Sequence, residues 1–319
     1  MRATLLLNPR SGTLLGEPGL AEALPEALRR AGFDLTVIAP DAAPDLPGRI
    51  ALALETAPEA LIIGGGDGTI RSAAAALRGT GVALGVLPLG TMNLLARDLG
   101  LPMPPLEAAA ALGGAHVAPI DLAEVNGEIF LCQSVIGLPN RIGQHRERSR
   151  GDGRLASRWR VVVGAARAFW RHPPLRLGLR LGTPGQPPEA APVLRVWTRA
   201  LSVVNNAYGE APGALFHRPR LDGGILTLHV ARGFGLWWVV RLLLAMAAGR
   251  WRRQSGLLSR QATAIVLHAR KRHLWVMNDG EAALLETPLH YSLHPRALKV
   301  LVPRGHGAGA GQEQGPEPG

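Results

Sequence analysis

Short apolar runs alternate with helix-like segments over about the first 115 residues, and this alternation most limits the folds open to the chain. Runs such as Ala3–Asn8 and Ala60–Ile63 have the length and composition of buried strands. The helix-like segment after the second run places four apolar residues on one face: Ile70, Ala73, Ala74 and Leu77. Since parallel neighbours need a crossover connection, strands that alternate with helices predict a parallel, doubly wound sheet.

From about Val117 onward, most of the sequence consists of strand-like runs. The dipeptide Asn126-Gly127 stands between two of them, and it is the strongest short-range indicator of a β-hairpin. The later runs predict a second, antiparallel region. The chain after Arg304 is rich in glycine and polar residues, which predicts a disordered tail.

The expected fold class is therefore α/β plus all-β, in a chain of 319 residues that is long enough for two domains. The first domain contains a doubly wound parallel sheet, and the second is an antiparallel, β-sandwich-like domain. The sequence leaves open whether the last strand-like segment of the second domain packs back onto the first domain. The expected ranges of the two domains and the tail are residues 1–118, 119–303 and 304–319.

Basic residues outnumber acidic ones, with 35 Lys and Arg against 24 Asp and Glu and a net charge of +11. This balance favours an anionic partner, which can be a phosphate group, a nucleotide, a nucleic acid or an acidic lipid surface. A compositional habit of a GC-rich genome explains the arginines equally well. A nucleic-acid interface predicts basic residues interleaved with exposed aromatic residues on one sheet, which the sequence does not show. No nucleic-acid partner is therefore expected.

The single cysteine and the longest apolar run bear on where the protein resides. Cys132 stands alone, so there is no disulfide framework, which fits a reducing cytoplasm. The run "GLWWVVRLLLAMAAGR" is interrupted by Arg241 and falls short of the roughly 20 residues that a spanning helix needs. We therefore expect a cytoplasmic protein that is soluble or peripheral at the inner face of the membrane.

The segment "GGGDGT", Gly64–Thr69, joins a strand-like run to the next helix-like segment. Glycines let the backbone come close to a ligand, and the N–H groups at a helix start attract a phosphate chain. The segment has neither the lysine of a Walker loop nor the spacing of a dinucleotide fingerprint. Asp67 repels a phosphate unless a cation lies between them, which indicates Mg²⁺. The alternative is a glycine-rich turn in which Asp67 caps the following helix.

Six motifs follow one another along the chain: "NPRSG" (Asn8–Gly12), "GGGDGT" (Gly64–Thr69), "PLGTMNLLARDLGLP" (Pro88–Pro102), "PIDLAEVNG" (Pro119–Gly127), "NNAYGEAPGALFHRPRLDGGILTLHV" (Asn205–Val230) and "NDGE" (Asn278–Glu281). In this order they resemble the diacylglycerol kinase catalytic-domain family, which includes soluble bacterial lipid kinases and the sphingosine and ceramide kinases. The glycine motif alone is shared with NAD kinases and phosphofructokinases, whereas the ordered set is much more specific.

The resemblance implies a nucleotide-binding first domain, a lipid-binding second domain, and ATP and Mg²⁺ as cofactors. The residues that match the family's nucleotide-binding positions are Asn8, Gly12, Gly64, Gly65, Gly66, Asp67, Gly68, Thr69, Thr91 and Asn93. The matching metal-binding positions are Asp67, Asp121 and Asp222. Relatives hold a structural Mg²⁺ at the last of these positions, and an ordinary Asp-Gly turn is the alternative there.

Three positions depart from the family pattern. Leu94 stands where relatives usually carry an aspartate of the metal network, and Arg71-Ser72 stands where Asn-Glu is common. Val135–Asn140 lacks the Gly-Phe-Asp of many relatives. These changes leave the phosphate-binding loops intact, and they bear on the substrate and on the activity.

Phosphoryl transfer needs a base close to the attacking hydroxyl group. By the resemblance, Asp279 or Glu281 deprotonates the hydroxyl of a lipid, and we favour Asp279. If a strand continues through this motif, the two alternate positions point to the same side. A hairpin turn with solvated acids is the alternative.

The predicted function is that of an ATP- and Mg²⁺-dependent lipid kinase that phosphorylates a lipid hydroxyl, such as that of diacylglycerol or a long-chain base. Its expected catalytic residues are Asp279, Glu281 and Asp67. A non-catalytic nucleotide- or lipid-binding relative is the alternative, and an NAD kinase-like enzyme is a weaker one. The oligomeric state stays open, a homodimer included.

The expected partners are the lipid substrate and, transiently, an anionic membrane surface. The basic segments Arg141–Arg160 and "GRWRRQ" are suited to anionic head groups. Three tryptophans are candidates for the interface between membrane and water: Trp237, Trp238 and Trp251. Packing of the first two in the core is the alternative.

Overall fold

The structure of the protein is a computed structural model that describes residues 1–137, 174–209, 217–233, 236–251 and 254–305. The basic segment Arg141–Arg160 and residues 306–319 of the predicted tail lie outside the described residues. The chain divides into two compact units. Unit 1 takes Met1–Ile120, Arg218–Gly223 and the described residues from Pro295 onward, and unit 2 takes the described residues of Asp121–His217 and Gly224–His294.

Strands and helices alternate in the first part of the described chain and strands dominate the second part. The helices are α1 (Gly12–Gly16), α2 (Leu20–Arg30), α3 (Leu46–Glu55), α4 (Asp67–Leu77), α5 (Leu94–Asp98), α6 (Pro105–Leu112) and α7 (Leu236–Ala247). The strands are β1 (Arg2–Leu7), β2 (Asp34–Ile38), β3 (Ala60–Gly65), β4 (Ala83–Pro88), β5 (His116–Val125), β6 (Glu128–Phe130), β7 (Gln133–Gly137), β8 (Leu175–Gly182), β9 (Leu194–Thr198), β10 (Ala200–Asn205), β11 (Leu226–Ala231), β12 (Leu257–Ala262), β13 (Ala264–Ala269), β14 (His273–Asn278), β15 (Glu281–Glu286) and β16 (Leu289–Val302).

Unit 1 is built on a parallel sheet with the strand order β2-β1-β3-β4, and the end of β16 pairs with β4 in parallel. Every residue of β3 and β4 is buried, as expected of parallel strands that are covered on both faces. Two pairs of helices pack against this sheet, α2 with α6 and α3 with α4. The predicted apolar residues of α4 are all buried. The predicted α/β class of this region is confirmed.

Unit 2 contains two antiparallel sheets whose inner faces share one hydrophobic core. The first sheet includes β13, β8, β9 and the beginning of β16, and the second has the order β12-β11-β10-β7-β14-β15. Leu179 and Ile265 of the first sheet pack in the same cluster as Val203, Leu228 and Val276 of the second. This arrangement is the predicted antiparallel, sandwich-like fold.

Two tight hairpin turns in unit 2 use residues with a positive φ angle. Asn126-Gly127 joins β5 to β6, with φ angles of 46° and 87°. Asp279-Gly280 joins β14 to β15, with φ angles of 49° and 93°. Positive φ at both central residues defines the type I′ turn, which matches the twist of the paired strands and favours Asn or Asp followed by Gly. The predicted hairpin at Asn126-Gly127 is confirmed.

Helix α7 packs against the outer face of the second sheet. Val204 alternates along β10 with a core residue, so it points away from the core. It forms a small cluster with Tyr208, Ala245 of α7 and Trp251. Because Trp251 is buried in this cluster, its predicted place at a membrane interface is wrong.

The two adjacent tryptophans at the start of α7 have different environments. The indole N–H of Trp238 donates a hydrogen bond to the carbonyl of Ser255 at 2.7 Å, so this side chain is part of the structure of unit 2. Trp237 is 80% exposed, which excludes the alternative that it packs in the core. In the described part of the chain, no helix combines the length and apolar character needed to cross a bilayer.

Candidate functional site

Three loops of unit 1 follow the carboxyl ends of the neighbouring parallel strands β1, β3 and β4, where ligands of open parallel sheets bind. The first loop is bonded directly to the glycine loop. The backbone N–H of Asn8 donates to the carbonyl of Gly64 at 2.8 Å, and Asn8 Nδ2 donates to Thr69 Oγ1 at 2.9 Å. The structure therefore brings these three predicted site residues together.

Three glycines of these loops, Gly64, Gly65 and Gly90, are required by the packing of the protein itself. A Cβ atom on Gly64 would overlap a leucine side chain, and one on Gly65 would lie 2.6 Å from the Cβ of Thr69. Gly66 and Gly90 come close through their backbones, since a Cβ on Gly90 would lie 2.5 Å from the Cα of Gly66. A side chain at Gly90 would push the two loops apart, so this glycine lets them meet.

The carboxylate of Asp67, in the first turn of α4, reaches the loop after β4. Its Oδ2 accepts a hydrogen bond from the N–H of Asn93 at 3.0 Å, and its Oδ1 accepts one from the N–H of Leu94 at 2.7 Å. Asp67 thus satisfies N–H groups at the start of α5, whereas the sequence suggested a cap on the helix that contains it. Leu94 contributes its backbone N–H here, although its side chain lacks the carboxylate that relatives carry. Gly68 is the second residue of α4.

Asn93 closes the loop after β4 on itself. Its φ angle is 49°, in the left-handed region that asparagine tolerates better than most residues. Its side-chain Oδ1 accepts a hydrogen bond from the N–H of Gly90, and its Nδ2 donates one to the carbonyl of the same residue, both at 2.8 Å. Asn93 therefore shapes the loop that presents Thr91, which is exposed.

A pocket of about 270 Å³ lies beside these loops in unit 1. It is lined by Gly12, Thr13, Gly16, Glu17, Leu89, Gly90 and Thr91. A Cβ atom on Gly12 would meet nothing within 4 Å. The hydroxyl of Ser11, one residue earlier, is buried and has no hydrogen-bond partner. A buried hydroxyl without a protein partner leaves bonding capacity that a ligand group or a water molecule can complete.

Sequence reasoning missed Ser11, Thr13, Glu17 and Leu89, because the motif fixes a loop without showing which of its residues face a pocket.

Sequence reasoning also missed a buried ion pair at the end of α5. Oδ2 of Asp98 accepts hydrogen bonds from Nε and Nη2 of Arg218 at 2.8 and 2.7 Å, and its Oδ1 accepts one from the backbone N–H of Arg218 at 2.8 Å. Both side chains are 1% exposed. The two positions are 120 residues apart in sequence, so no local pattern indicates their pairing.

In unit 2, Asp279 occupies the type I′ turn, where it is buried. Its Oδ2 accepts a hydrogen bond from the N–H of Leu131 at 2.6 Å, and its Oδ1 accepts bonds from the N–H groups of Cys132 and Gln133, each at 2.9 Å. Bonds to an ionised acceptor are the strong ones. Asp279 therefore fixes its hairpin to the segment before β7.

Glu281 is the first residue of β15 and is exposed. The sequence predicted that Asp279 and Glu281 point to the same side if the strand continues through the motif. That condition is not met, because the chain turns at Asp279-Gly280 and the strand resumes only at Glu281. One carboxylate is held inside the unit, whereas the other is accessible to solvent.

Asp121, the first residue of unit 2, is fully buried. Its Oδ2 accepts a hydrogen bond from the N–H of Gly224 at 2.7 Å, and its carbonyl accepts one from Nδ2 of Asn205 at 2.9 Å. The same Nδ2 of Asn205 also donates to the carbonyl of Leu131 at 3.0 Å. The segment around Asp121 is therefore built into a buried polar network.

Asp222 belongs to unit 1, where arginines face its carboxylate. Arg220 Nη2 lies 3.4 Å from Oδ1, and Arg296 Nη2 lies 3.6 Å from Oδ2. Positive charge therefore stands near both oxygens at the position where the resemblance implies a structural Mg²⁺. Within the described ranges, no three His, Cys, Asp or Glu side chains lie together in a way that could hold a metal ion.

Asn278, next to Asp279, is fully buried, and neither atom of its side-chain amide has a hydrogen-bond partner. It stands opposite Ser134 in the pairing of β14 with β7. The Ser134 hydroxyl is 3.1 Å from the hydroxyl of Tyr291, and burial raises the pKa of Tyr291 above its ordinary value. The interior of unit 2 thus contains several polar groups beneath the Asp279 turn.

Comparison with known proteins identifies the first part of the chain. The family model described as diacylglycerol kinase catalytic domain matches residues 2–125. A Pseudomonas aeruginosa protein named "Probable lipid kinase YegS-like" is 43% identical over 118 residues, which are 36% of this chain and 39% of that protein. A Staphylococcus saprophyticus protein named "Diacylglycerol kinase" is 31% identical over 132 residues, 41% of this chain and 43% of that protein. The chain thus spans less than half the length of these curated relatives.

Solved structures extend the likeness in fold over nearly the whole chain. A crystal structure from Bacillus anthracis, described as that of a diacylglycerol kinase, aligns with 96% of this chain and 98% of its own. Its TM-score is 0.60 at 18% identity, and a second structure from that organism gives 0.70 at 19%. The resemblance that the ordered motifs predict is therefore confirmed, since residues 2–125 match the model of the diacylglycerol kinase catalytic-domain family.

Proposed function

We propose that the protein is an ATP- and Mg²⁺-dependent lipid kinase that transfers the γ-phosphate to a lipid hydroxyl, such as that of diacylglycerol or a long-chain base. The observation that carries this proposal is the pocket of unit 1 and the buried, unpartnered hydroxyl of Ser11 beside it, in the region that matches the family. A polar ligand fits such a site.

The nucleotide phosphates are assigned to the three loops at the carboxyl edge of the unit 1 sheet. Gly12 leaves room for a ligand to approach the backbone, and Ser11 offers a hydroxyl donor. Thr91 and Gly90 approach the pocket from the loop after β4. Asn8, Asn93 and the glycine loop act by holding these three loops in one arrangement, because their hydrogen bonds run between and within the loops.

We assign Mg²⁺ to the carboxylate of Asp67, which lies among these loops. It is half-buried, and a single carboxylate together with substrate phosphates and water is a common set of Mg²⁺ ligands. When bound, the ion neutralises charge that develops on the phosphates during transfer. Asp121 and Asp222 are weaker candidates, since Asp121 is fully buried and Asp222 faces two arginines.

The base that accepts the proton of the lipid hydroxyl is assigned to the Asp279–Glu281 turn of unit 2. Three backbone N–H groups already engage the carboxylate of Asp279, which suits a positioning role. Glu281 is exposed and can meet a substrate from solvent. The geometry therefore favours Glu281 as the base more than the sequence does, with Asp279 fixing the turn.

Transfer of ³²P from γ-labelled ATP to extracted bacterial lipids tests the proposal. We expect one labelled lipid class with the wild-type protein and none with Asp67→Ala. Glu281→Gln is expected to lower kcat by about 10²–10⁴-fold if Glu281 is the base. Thermal unfolding of each variant, measured alongside, separates lost chemistry from lost folding. No labelled lipid in any class, with folded wild-type protein, refutes the proposal.

A non-catalytic relative that binds a nucleotide or a lipid is the second candidate function. Leu94, which replaces a carboxylate of the family's metal network, is the observation that favours it. This alternative predicts calorimetric binding of Mg·ATP without phosphate transfer to lipid. Measurable turnover on any lipid removes it, and turnover on NAD instead would support an NAD kinase-like enzyme.

A further inference from the structure

Residues 223–278 contain nine Lys and Arg residues and no Asp or Glu. At the chain's average acid content, about four acidic residues would be expected in a segment of this length. The segment supplies α7 and much of the second sheet of unit 2. Acidic residues would repel an anionic surface. A segment of this length that has basic residues and no acidic ones is therefore complementary in charge to an anionic surface.

Helix α7 presents large apolar side chains to solvent on the face that does not pack on the sheet. Trp237 is 80% exposed and Leu244 is 66% exposed. Arg241 lies between them and is also exposed. The spacing of four and then three residues places all three on one side of the helix. A tryptophan, an arginine and a leucine in this arrangement are typical of helices at the interface between lipid and water.

A second exposed apolar group lies on the same outer side of the second sheet. Trp275 of β14 stands directly opposite Leu284 of β15, and they are 49% and 52% exposed. Both neighbours of Trp275 along β14 belong to the core of unit 2. Since side chains alternate along a strand, Trp275 and Leu284 point to the outer face, as does the residue of β10 that α7 covers.

We propose that this outer face, defined by Trp237, Arg241 and Leu244 of α7 with Trp275 and Leu284, docks on an anionic lipid bilayer. The inference rests on the proposed function in one respect, namely that a lipid kinase takes its substrate from a bilayer. The apolar side chains enter the interfacial region, and Arg241 lies near anionic head groups. Each arginine near such a surface strengthens binding about fivefold.

Flotation with sized vesicles tests the proposal without nucleotide or turnover. Vesicles of equal parts phosphatidylglycerol and phosphatidylcholine are compared with vesicles of phosphatidylcholine alone. The wild-type protein is expected to bind the anionic vesicles and to lose binding as salt is raised. The double variant Trp237→Ser/Leu244→Ser is expected to bind at least about tenfold more weakly, and Arg241→Gln about fivefold more weakly.

A matched control comes from β9 in the other sheet of unit 2, where Trp197 is 56% exposed and Arg195 is exposed. Trp197→Ser and Arg195→Gln make the same chemical changes outside the proposed face, and we expect vesicle binding to stay within about twofold of the wild type. The proposal is overturned if the wild type does not bind anionic vesicles, or if the α7 variants bind as tightly as the wild type. Equal losses in the control variants also overturn it.

The kinase assay then separates failure of this proposal from failure of the proposed function. Variants of the docking face are expected to keep wild-type activity on lipid dispersed in detergent and to lose it on vesicles. If the wild type phosphorylates no lipid and still floats with anionic vesicles through this face, the proposed function fails and docking stands. If phosphorylation of vesicle lipid is unaffected by the α7 variants, docking through this face fails and the kinase stands.

Discussion

The ion pair between Asp98 and Arg218 gives the most demanding test of how unit 1 is held together. In Asp98→Ala, the guanidinium of Arg218 loses two hydrogen bonds and the backbone N–H of the same residue loses one. Both side chains are almost fully buried, so water does not replace these bonds. Removing one partner of a buried pair costs about 3–5 kcal/mol. A domain is stable by about 5–15 kcal/mol, so this loss is a large fraction of the total.

Urea unfolding followed by two optical probes measures the effect. The sequence has tryptophan only between residues 159 and 275, outside the segments of unit 1, whereas six of the seven described helices lie in unit 1. Circular dichroism at helical wavelengths therefore follows the described helices mainly in unit 1, and tryptophan fluorescence reports on unit 2. For Asp98→Ala, we expect the midpoint of urea unfolding to fall, and the unfolding seen by circular dichroism to precede the unfolding seen by fluorescence.

Two controls make the reasoning refutable. Arg29→Ala removes an exposed pair with Glu26, which is expected to cost no more than about 1 kcal/mol. Asp98→Leu/Arg218→Met replaces the buried pair with apolar side chains and is expected to be less destabilised than Asp98→Ala. If Asp98→Ala unfolds within about 1 kcal/mol of the wild type, the pair does not hold α5 in the way we describe.

Three further substitutions have expected outcomes. Gly90→Ala places a Cβ against the backbone of Gly66. We expect the free energy of unfolding to fall by about 1–3 kcal/mol and Mg·ATP binding, measured by calorimetry, to weaken. An unchanged affinity would contradict the close approach of the loops. Asp279→Asn replaces one of the two carboxylate oxygens, which together accept three hydrogen bonds, with an N–H donor. Denaturation should show a loss of about 3 kcal/mol in the free energy of unfolding, with exposed Glu281→Gln as the neutral control. Asn278→Leu removes a buried amide without partners, and it should raise the unfolding free energy by about 1–3 kcal/mol; a lower melting temperature would show that the amide is bonded.

The order of elements and the loops of the candidate site could be predicted because they depend on local sequence. Buried parallel strands have continuous apolar runs, and the helix after the glycine loop has a regular apolar face. The turn at Asn126-Gly127 follows from the φ angles that these two residue types tolerate. These features need no information about distant parts of the chain.

The functions of individual polar side chains could not be predicted in the same way. The alternative for Asp67 was a cap on its own helix, but its carboxylate bonds to the loop after β4, 26 and 27 residues later. Asp279 was expected to face the same side as Glu281 if a strand continued through the motif, but a two-residue turn separates them. Both outcomes depend on which backbone N–H groups the fold brings near each carboxylate, and the sequence does not contain that geometry.

The composition of unit 1 from three separate stretches has a consequence for how the protein is made. A ribosome has released the residues that match the kinase family long before it reaches β16 and Arg218, which complete the sheet edge and the buried pair. Unit 1 therefore cannot reach its final state during synthesis until nearly the whole described chain has emerged. A gene fragment that stops near residue 125 would yield an exposed strand edge and an aspartate without its guanidinium, and such a fragment should aggregate.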